Sequence, residues 1–452
     1  MALLESLVSA PSVGPRTPGG WSPLERWVWD RICQGRTANI NLLNGRFRPS
    51  DSFSSMSDRV IRPHFLRTIL FDPLYQQAIP TQGVRIEGAW FAEPVDLEGC
   101  RIAHGLWLHA CHFDQGLNLN QLITTNTLSL ENCWCAAGVT LDRATIGNDF
   151  VMAGCSVKDE LNMKNMRVGG ILSLGGQAQF RSLDLSGSRI GKALMLLGTM
   201  VREGFCLEDL RVTGGGYFQD IQAFGGFSMN KSKIEGALTF RNIRILGRVT
   251  MQGCDVGENL LFRDVTECAA IDLGAGHIGR HLMLNGVNAV GPFNLEKTTI
   301  RGGIFCDSRT HCGGISLLNG EIGDRVIISG STLKGTLAME ECRVNGDVLL
   351  GAGAVLGEVN MRKAWIGHRV TMLSMTVEGC LNMEGIQVGG NVELYEEGRF
   401  GSINLRHALV QNTLAIVGVD CVGPLEMIAI QVKGHVFIGG KTQSQHVQFQ
   451  NT

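Results

Sequence analysis

The chain has 452 residues with 40 basic and 42 acidic side chains, a formal net charge of −2, which excludes both the strong positive field of a nucleic-acid binder and the acidity of a polyanion mimic. Glycine supplies 59 residues, far above globular usage, and points to many turns rather than one large core. No apolar run approaches the ~20 residues of a membrane-spanning helix.

Residues 1–20 are rich in Ser, Pro and Gly and are expected to be disordered. Met1 to Gly14 shows no basic stretch ahead of an apolar core, so a secretory leader is not expected and a reducing cytoplasm is. From Trp21 the character changes. Ser22-Pro23-Leu24-Glu25 reads as a helix start, with Ser as N-cap and Pro at the first position. That helix should reach about Cys33 and bury Leu24, Trp27, Val28 and Ile32. Residues 34–57 read as loop or short strand. A second helix is expected from Arg62-Pro63 to Phe71, burying Phe65, Leu66, Ile69 and Leu70, with Asp72-Pro73 ending it. Residues 21–83 thus form a small helical cap over the strand edges of the downstream repeat. Arg59, Arg62, His64 and Arg67 make a local basic cluster there.

From Val84 one interval governs the chain. Stepping by eleven gives Val95, Leu106, Leu117, Leu128, Val139 and Phe150, and the register runs without insertion to Val447. Thirty-three equal steps make 34 units, and Gly216 alone on this ladder is not a large apolar residue. Within a unit, positions 0 and +2 are apolar, as in Leu117-Asn118-Leu119, which is strand alternation. Position +5 is small or modest (Cys100, Cys133, Ala144, Ser188), position +7 is β-branched (Ile102, Ile146, Val168, Ile190), and Gly often follows at +8 or +9. Such a short fixed period signals a solenoid.

The units alternate. At +1 one set carries Asp96, Asn118, Asn162, Asp184 and Asn294, and the other carries Trp107, Val151, Met195, Tyr217, Leu261, Met283, Phe305, Ile327, Leu349 and Phe437. Inside, Phe218, Phe240 and Phe262 recur in every second unit, as do Met339, Met361 and Met383. The coil is therefore two units, about 22 residues with four short strands, repeated about 17 times over residues 84–449. A four-sided coil with inward i, i+2 pairs resembles the pentapeptide-repeat β-helix, with strand intervals that alternate between five and six. The family's Ala-Asp/Asn-Leu signature is echoed in Leu117-Asn118-Leu119 and Val359-Asn360-Met361. The chain is also similar to long glycine-rich bacterial repeat proteins catalogued as membrane-associated oxidoreductases, although no redox motif supports that activity. The resemblance implies an all-β solenoid, a right-handed four-sided parallel β-helix.

The faces of such a coil supply the candidate sites. The apolar +1 column forms an outward stripe, expected to be covered by a second copy in a homodimer or by a partner or lipid headgroups. Arg167, Arg189, Arg211 and Lys233, one in every second unit, form a basic ladder suited to phosphates or an acidic partner, softened by Glu208 and Asp209. On a fourth face Gln179, Glu267, His311 and Arg399 hold +7, with the apolar residue moved one place to Phe180, Cys268, Cys312 and Phe400, which implies bulged corners with the polar row outward. Cys111, Cys133 and Cys155 stack in one inward column as small buried hydrophobes.

Chemistry is sparse. Cys306, Asp307, His311 and Cys312 lie close in sequence, but Cys306 is an inward position. Gly351 to Gly357 is glycine rich without a following helix. Glu340, Glu341 and Glu384 could imitate a polysaccharide-cleaving carboxylate pair, yet no loop is inserted to build a cleft. No catalytic, metal or cofactor site is assigned. The sequence reads as a non-catalytic scaffold that presents flat faces to an unidentified protein partner and self-associates through the stripe. The alternatives are peripheral contact with the inner membrane through the same stripe, or a pentapeptide-repeat-type inhibitor of a nucleic-acid enzyme. A direct nucleic-acid partner is not expected.

Overall fold

In a computed structural model, residues 15, 18–45, 57–307, 309–440 and 442–450 are described; most of the segment expected to be disordered lies outside them. The chain is an all-β parallel solenoid of about 16 turns with about 22 residues per coil and a short helical segment at its N-terminal side. It divides into two compact units, Met1–Gly225 and Gly226–Thr452.

The first unit opens with helix α1, Pro23–Cys33. The Ser22 hydroxyl accepts from the Glu25 backbone N–H at 3.1 Å, while the Glu25 carboxylate accepts from the Ser22 N–H at 2.7 Å, a reciprocal cap. Leu24, Trp27, Val28 and Ile32 are buried as expected. Helix α2, Pro63–Phe71, buries Phe65, Leu66, Ile69 and Leu70. Asp72-Pro73 ends α2 but also starts a further short helix, Pro73–Gln76, capped by the Asp72 side chain. An aromatic cluster joins these pieces, with Trp21 4.8 Å from Phe65 and Trp29 5.4 Å from Tyr75.

The segment between the helices does more than loop. Ala38–Asn39 pairs in parallel with Val84–Glu87, and Val60 bridges to Trp90. The cap thus lays a partial rung on the first coil and satisfies its strand edge. The basic cluster is engaged in the same work. The Arg59 guanidinium is buried and donates to Asn41 Oδ1 at 2.8 Å. Arg62 donates from Nε to Glu25 Oε1 at 3.0 Å. Burial raises the Glu25 pKa, but the Arg62 and Ser22 hydrogen bonds outweigh it and hold the carboxyl below its usual value. Arg67 reaches Asp96 at 3.7 Å. The expected basic surface is therefore largely occupied in holding the cap together.

The first coil carries four short strands, Val84–Glu87, Trp90–Phe91, Val95–Asp96 and Arg101–Ile102, and in some later coils two of the four merge, as in Ser156–Asn162 and Leu238–Ile245. Partners lie one coil apart: Val84 faces Leu106, and Leu117 faces Val139. In the second unit Leu238 faces Leu260, and Val348 faces Val370. Strands of the Arg101–Ile102 type pair only among themselves and form a separate sheet. The fourth-face shift takes the expected form. Phe180 faces Val157 on the preceding coil and Val201 on the following one. The first interval is one place longer than a coil and the second one place shorter, so a single residue is bulged. In the second unit Phe400 does the same between Val377 and Cys421. Gln179, Glu267, His311 and Arg399 all point to solvent.

Two backbone devices recur with the eleven-residue unit. Position +4 of each described unit is left-handed, from Gly88 (φ 77) through Ala110 (φ 48), Gln121 (φ 55), Asn132 (φ 53) and Arg143 (φ 57) to Gly440 (φ 73). That kink turns the chain out of the 0 to +3 strand. The glycines at +8 answer a different need. A Cβ on Gly169 would lie 2.1 Å from the carbonyl oxygen of Gly147 on the coil below, so the corner packs backbone on backbone. At +5, inward Ser, Thr and Cys side chains donate to a carbonyl of the preceding coil: Ser188 to Met163 at 2.7 Å, Cys133 to Leu108 at 3.2 Å, Thr298 to Leu273 at 3.0 Å. These bonds explain how polar atoms are tolerated inside the coil. Inward rings stack as the spacing implies, Phe240 on Phe262 at 4.9 Å and 8°.

Gly99 has φ +66 and open space where a Cβ would stand, so Gly99→Ala isolates the backbone term. It should lower stability by about 1 kcal/mol, whereas Ala352→Gly, at φ 51, should raise it slightly. Urea unfolding midpoints of the two variants check both signs.

Candidate interaction surfaces

Outward side chains of the first strand in alternate units come from +1 and +3, because 0 and +2 face the core. In the second unit the +1 column pairs Leu261 with Met283, Met283 with Phe305, Phe305 with Ile327, and Ile327 with Leu349. All five are half-exposed. They form an unbroken apolar column on consecutive rungs, bounded by Thr239 and Thr371.

In the first unit the stripe is broken. The column reads Arg85, Trp107, Ser129, Val151, Ser173, Met195, Tyr217. Serines interrupt it, and the Arg85 guanidinium lies 4.7 Å from the Trp107 ring centre and shields it. Phe437 is 55% exposed, but Thr371, Glu393 and Ala415 separate it from Leu349. A stripe of ten therefore reduces to a patch of five, with Met195 and Tyr217 as a smaller pair in the first unit.

The patch also extends past the residues of the +1 column. Beyond Leu349 the apolar character passes from +1 to +3, to Leu373 and Tyr395. Gly351 lacks a side chain at the crossing, and a groove of about 390 Å³ opens there, lined by Ile327, Leu349, Thr371, Leu373, Glu393 and Tyr395. The signal is present in the sequence, since +3 faces the same way as +1.

The basic ladder divides similarly. Arg167 faces Arg189, and Arg189 faces Arg211. All three are exposed, and among the described residues none has an ion-pair partner. Lys233 belongs to the second unit, where Asp255 on the next rung holds its ammonium at 3.2 Å. The open ladder is three rungs long, not four. Some other cations meet carboxylates across rungs, as in Lys164–Asp184 at 3.1 Å and Arg406–Glu426 at 3.1 Å. In the first unit a cleft of about 260 Å³ lies around Ser156, Phe180 and Arg181, but Arg181 is held by Glu203 at 2.9 Å and Asp159 at 3.4 Å.

The short Cys-Asp-His-Cys run does not converge. Cys306 Sγ lies 3.3 Å from Ser331 Oγ in the core, Cys312 donates to Gly314 O at 3.5 Å, and His311 faces out. Among the described residues no group of three His, Cys, Asp or Glu side chains could hold one metal ion. All fourteen cysteines are outside disulfides and eleven are buried. Burial pushes the Cys254 and Cys342 thiols up to about 12, and Cys133 well above its ordinary value. Burial, followed by the Asp30 charge, raises half-buried Cys33 to about 12. Glu340 is occupied by Asn360 at 2.8 Å and Arg362 at 3.6 Å, and Glu341 by Lys363 at 3.9 Å.

No family model, curated protein or solved structure matches the chain. The likeness to repeat β-helices stands at the level of a solenoid with 22-residue coils.

Thiol titration of the folded protein with an aromatic disulfide at mildly alkaline pH should label half-buried Cys206 and Cys380 first. The buried cysteines should react only on unfolding, because thiolate and access are both required.

Proposed function

We propose that the protein is a non-catalytic scaffold that self-associates through the Leu261–Leu349 column and leaves its other faces to protein partners. The observation that carries this reading is the column itself. Five half-exposed apolar side chains on five rungs at ~4.8 Å spacing make a straight apolar strip. Water contact with that strip costs roughly 25 cal/mol for each Å².

A second copy of this chain is the occupant that best fits it. The column is centred on Phe305, with Leu261 and Met283 on one side and the Ile327–Leu349–Leu373 groove on the other. A two-fold axis through Phe305 would lay the Leu261 side of one copy in the groove of its partner, and the reverse. Isologous contacts have that reciprocity. The scaffold reading also draws support from the repeat, which runs without an inserted loop, and from inward thiols engaged in packing. The pentapeptide-repeat likeness adds a precedent for flat, regular faces, but an inhibitor that imitates DNA would need an acidic surface, and the net charge is −2.

Mass in solution by light scattering should give a dimer for the native chain. Leu261→Glu combined with Ile327→Glu should give a folded monomer, because each buried, unpaired charge costs roughly 3–5 kcal/mol, a hundredfold or more in Kd. A native monomer retires self-association.

A further inference from the structure

Among the described residues, Arg167, Arg189 and Arg211 of the first unit lack the cross-rung carboxylate that Lys164 and Arg181 have. Lys164 has Asp184 at 3.1 Å on the next rung, and Arg181 lies between Asp159 and Glu203 on its two neighbouring rungs. Arg167, Arg189 and Arg211 instead stand directly opposite one another on consecutive parallel rungs, where like charges repel. No carboxylate among the described residues pairs with them to offset that repulsion. Lys192, exposed on the adjoining corner, adds a fourth cation. The carboxylates nearest in the chain, Glu208 and Asp209, occupy the corner that precedes the column.

The corner on the other side of the column carries glycine beside Arg167 and Arg189, where a Cβ on Gly191 would lie 2.3 Å from Gly169 O, with Lys192 and Thr213 exposed next to them. Past that corner come Met195 and Tyr217, paired on adjacent rungs, with Tyr217 42% exposed. Charge, a corner of glycines with one lysine, and an amphipathic aromatic therefore succeed one another along one edge. Two clefts of this unit lie around Arg181 and around Arg67. A small anion is normally held in a concave site, whereas a flat cationic edge suits an extended anionic surface.

We propose that this edge docks the protein on an anionic phospholipid surface. Guanidiniums take phosphate oxygens through two parallel hydrogen bonds, and tyrosine favours the headgroup boundary, with its ring in the apolar layer and its hydroxyl in water. The glycine corner lets the backbone come close to the headgroups. This contact is independent of self-association, which uses the second unit.

The test is flotation of the full chain with vesicles of phosphatidylcholine, with and without phosphatidylserine. Binding should require phosphatidylserine and weaken as salt screens the charges. Each cation near such a surface is worth about fivefold in partitioning, so the triple variant Arg167→Gln, Arg189→Gln, Arg211→Gln should lose about 100-fold. Its melting temperature should not fall, since repulsion is relieved, and this separates lost docking from lost folding. Arg343→Gln in the second unit should bind as the native chain does. Failure of the native chain to float with anionic vesicles overturns the proposal, as does a triple variant that floats equally well. Binding of heparin or a single-stranded oligonucleotide through the same arginines, with no flotation, would reassign the edge to a soluble polyanion and also overturn it.

Discussion

Everything in the two units depends on the parallel ladder between residue i and residue i+22. Backbone N–H groups donate to the next coil, as from Val84 to Gly105 O at 2.9 Å and from Leu260 to His281 O at 2.9 Å. A slip of one residue along a strand would turn its core face to water. The chain therefore admits no insertion on three of its faces, and on the fourth it admits a single bulged residue that the following coil takes back. The left-handed residue at +4 is the second half of the constraint. Without a kink in every unit the strands could not close into a coil, and the strain falls on residues such as Gln121, Arg143 and Glu341, where no glycine relieves it.

Much of this is legible in the sequence because the repeat writes each requirement many times. Position 0 announces the interval, Phe240 and Phe262 announce the coil, and the displaced Phe180 and Phe400 announce the bulges. The helical cap is legible from Ser22, Pro23 and Glu25, which carry their own capping chemistry. Other features leave no clear trace. The left-handed position holds Gly, Asn, Asp, Ala, Lys, Arg and Glu in turn, so residue type does not mark it, and the conspicuous glycines at +8 serve close backbone contact instead. Arg59 reads as a surface cation, yet it is buried against Asn41, a partner no spacing rule supplies. The apolar stripe reads longer in sequence than it is, because one repeat position taken alone hides the residues that stand between its members. Ser129 and Ser173 divide it, and Leu373 and Tyr395 extend it from another position. Lys233 reads as a fourth rung of the arginine ladder, although Asp255, one coil on, is visible at the same interval.

A solenoid of this kind separates folding from function by direction. Inward positions and corners answer to stacking, which leaves outward positions on flat faces as the place where specificity can reside. Most outward columns here mix polar residues or pair opposite charges across rungs. The apolar column of the second unit and the arginine column of the first depart from that habit. Each exposes a row of one chemistry that gains from being covered. The proposed roles follow from that contrast.

The most direct measurement is covalent capture across the proposed two-fold axis. Phe305→Cys places a thiol at the centre of the column, where a two-fold contact brings it against the same residue of a second copy, and Gln387→Cys places one on a different face as a control. Under mild oxidation a disulfide-linked dimer is expected from Phe305→Cys at concentrations where Gln387→Cys stays monomeric. Equal cross-linking of the two variants, or none from Phe305→Cys, would contradict self-association through this column.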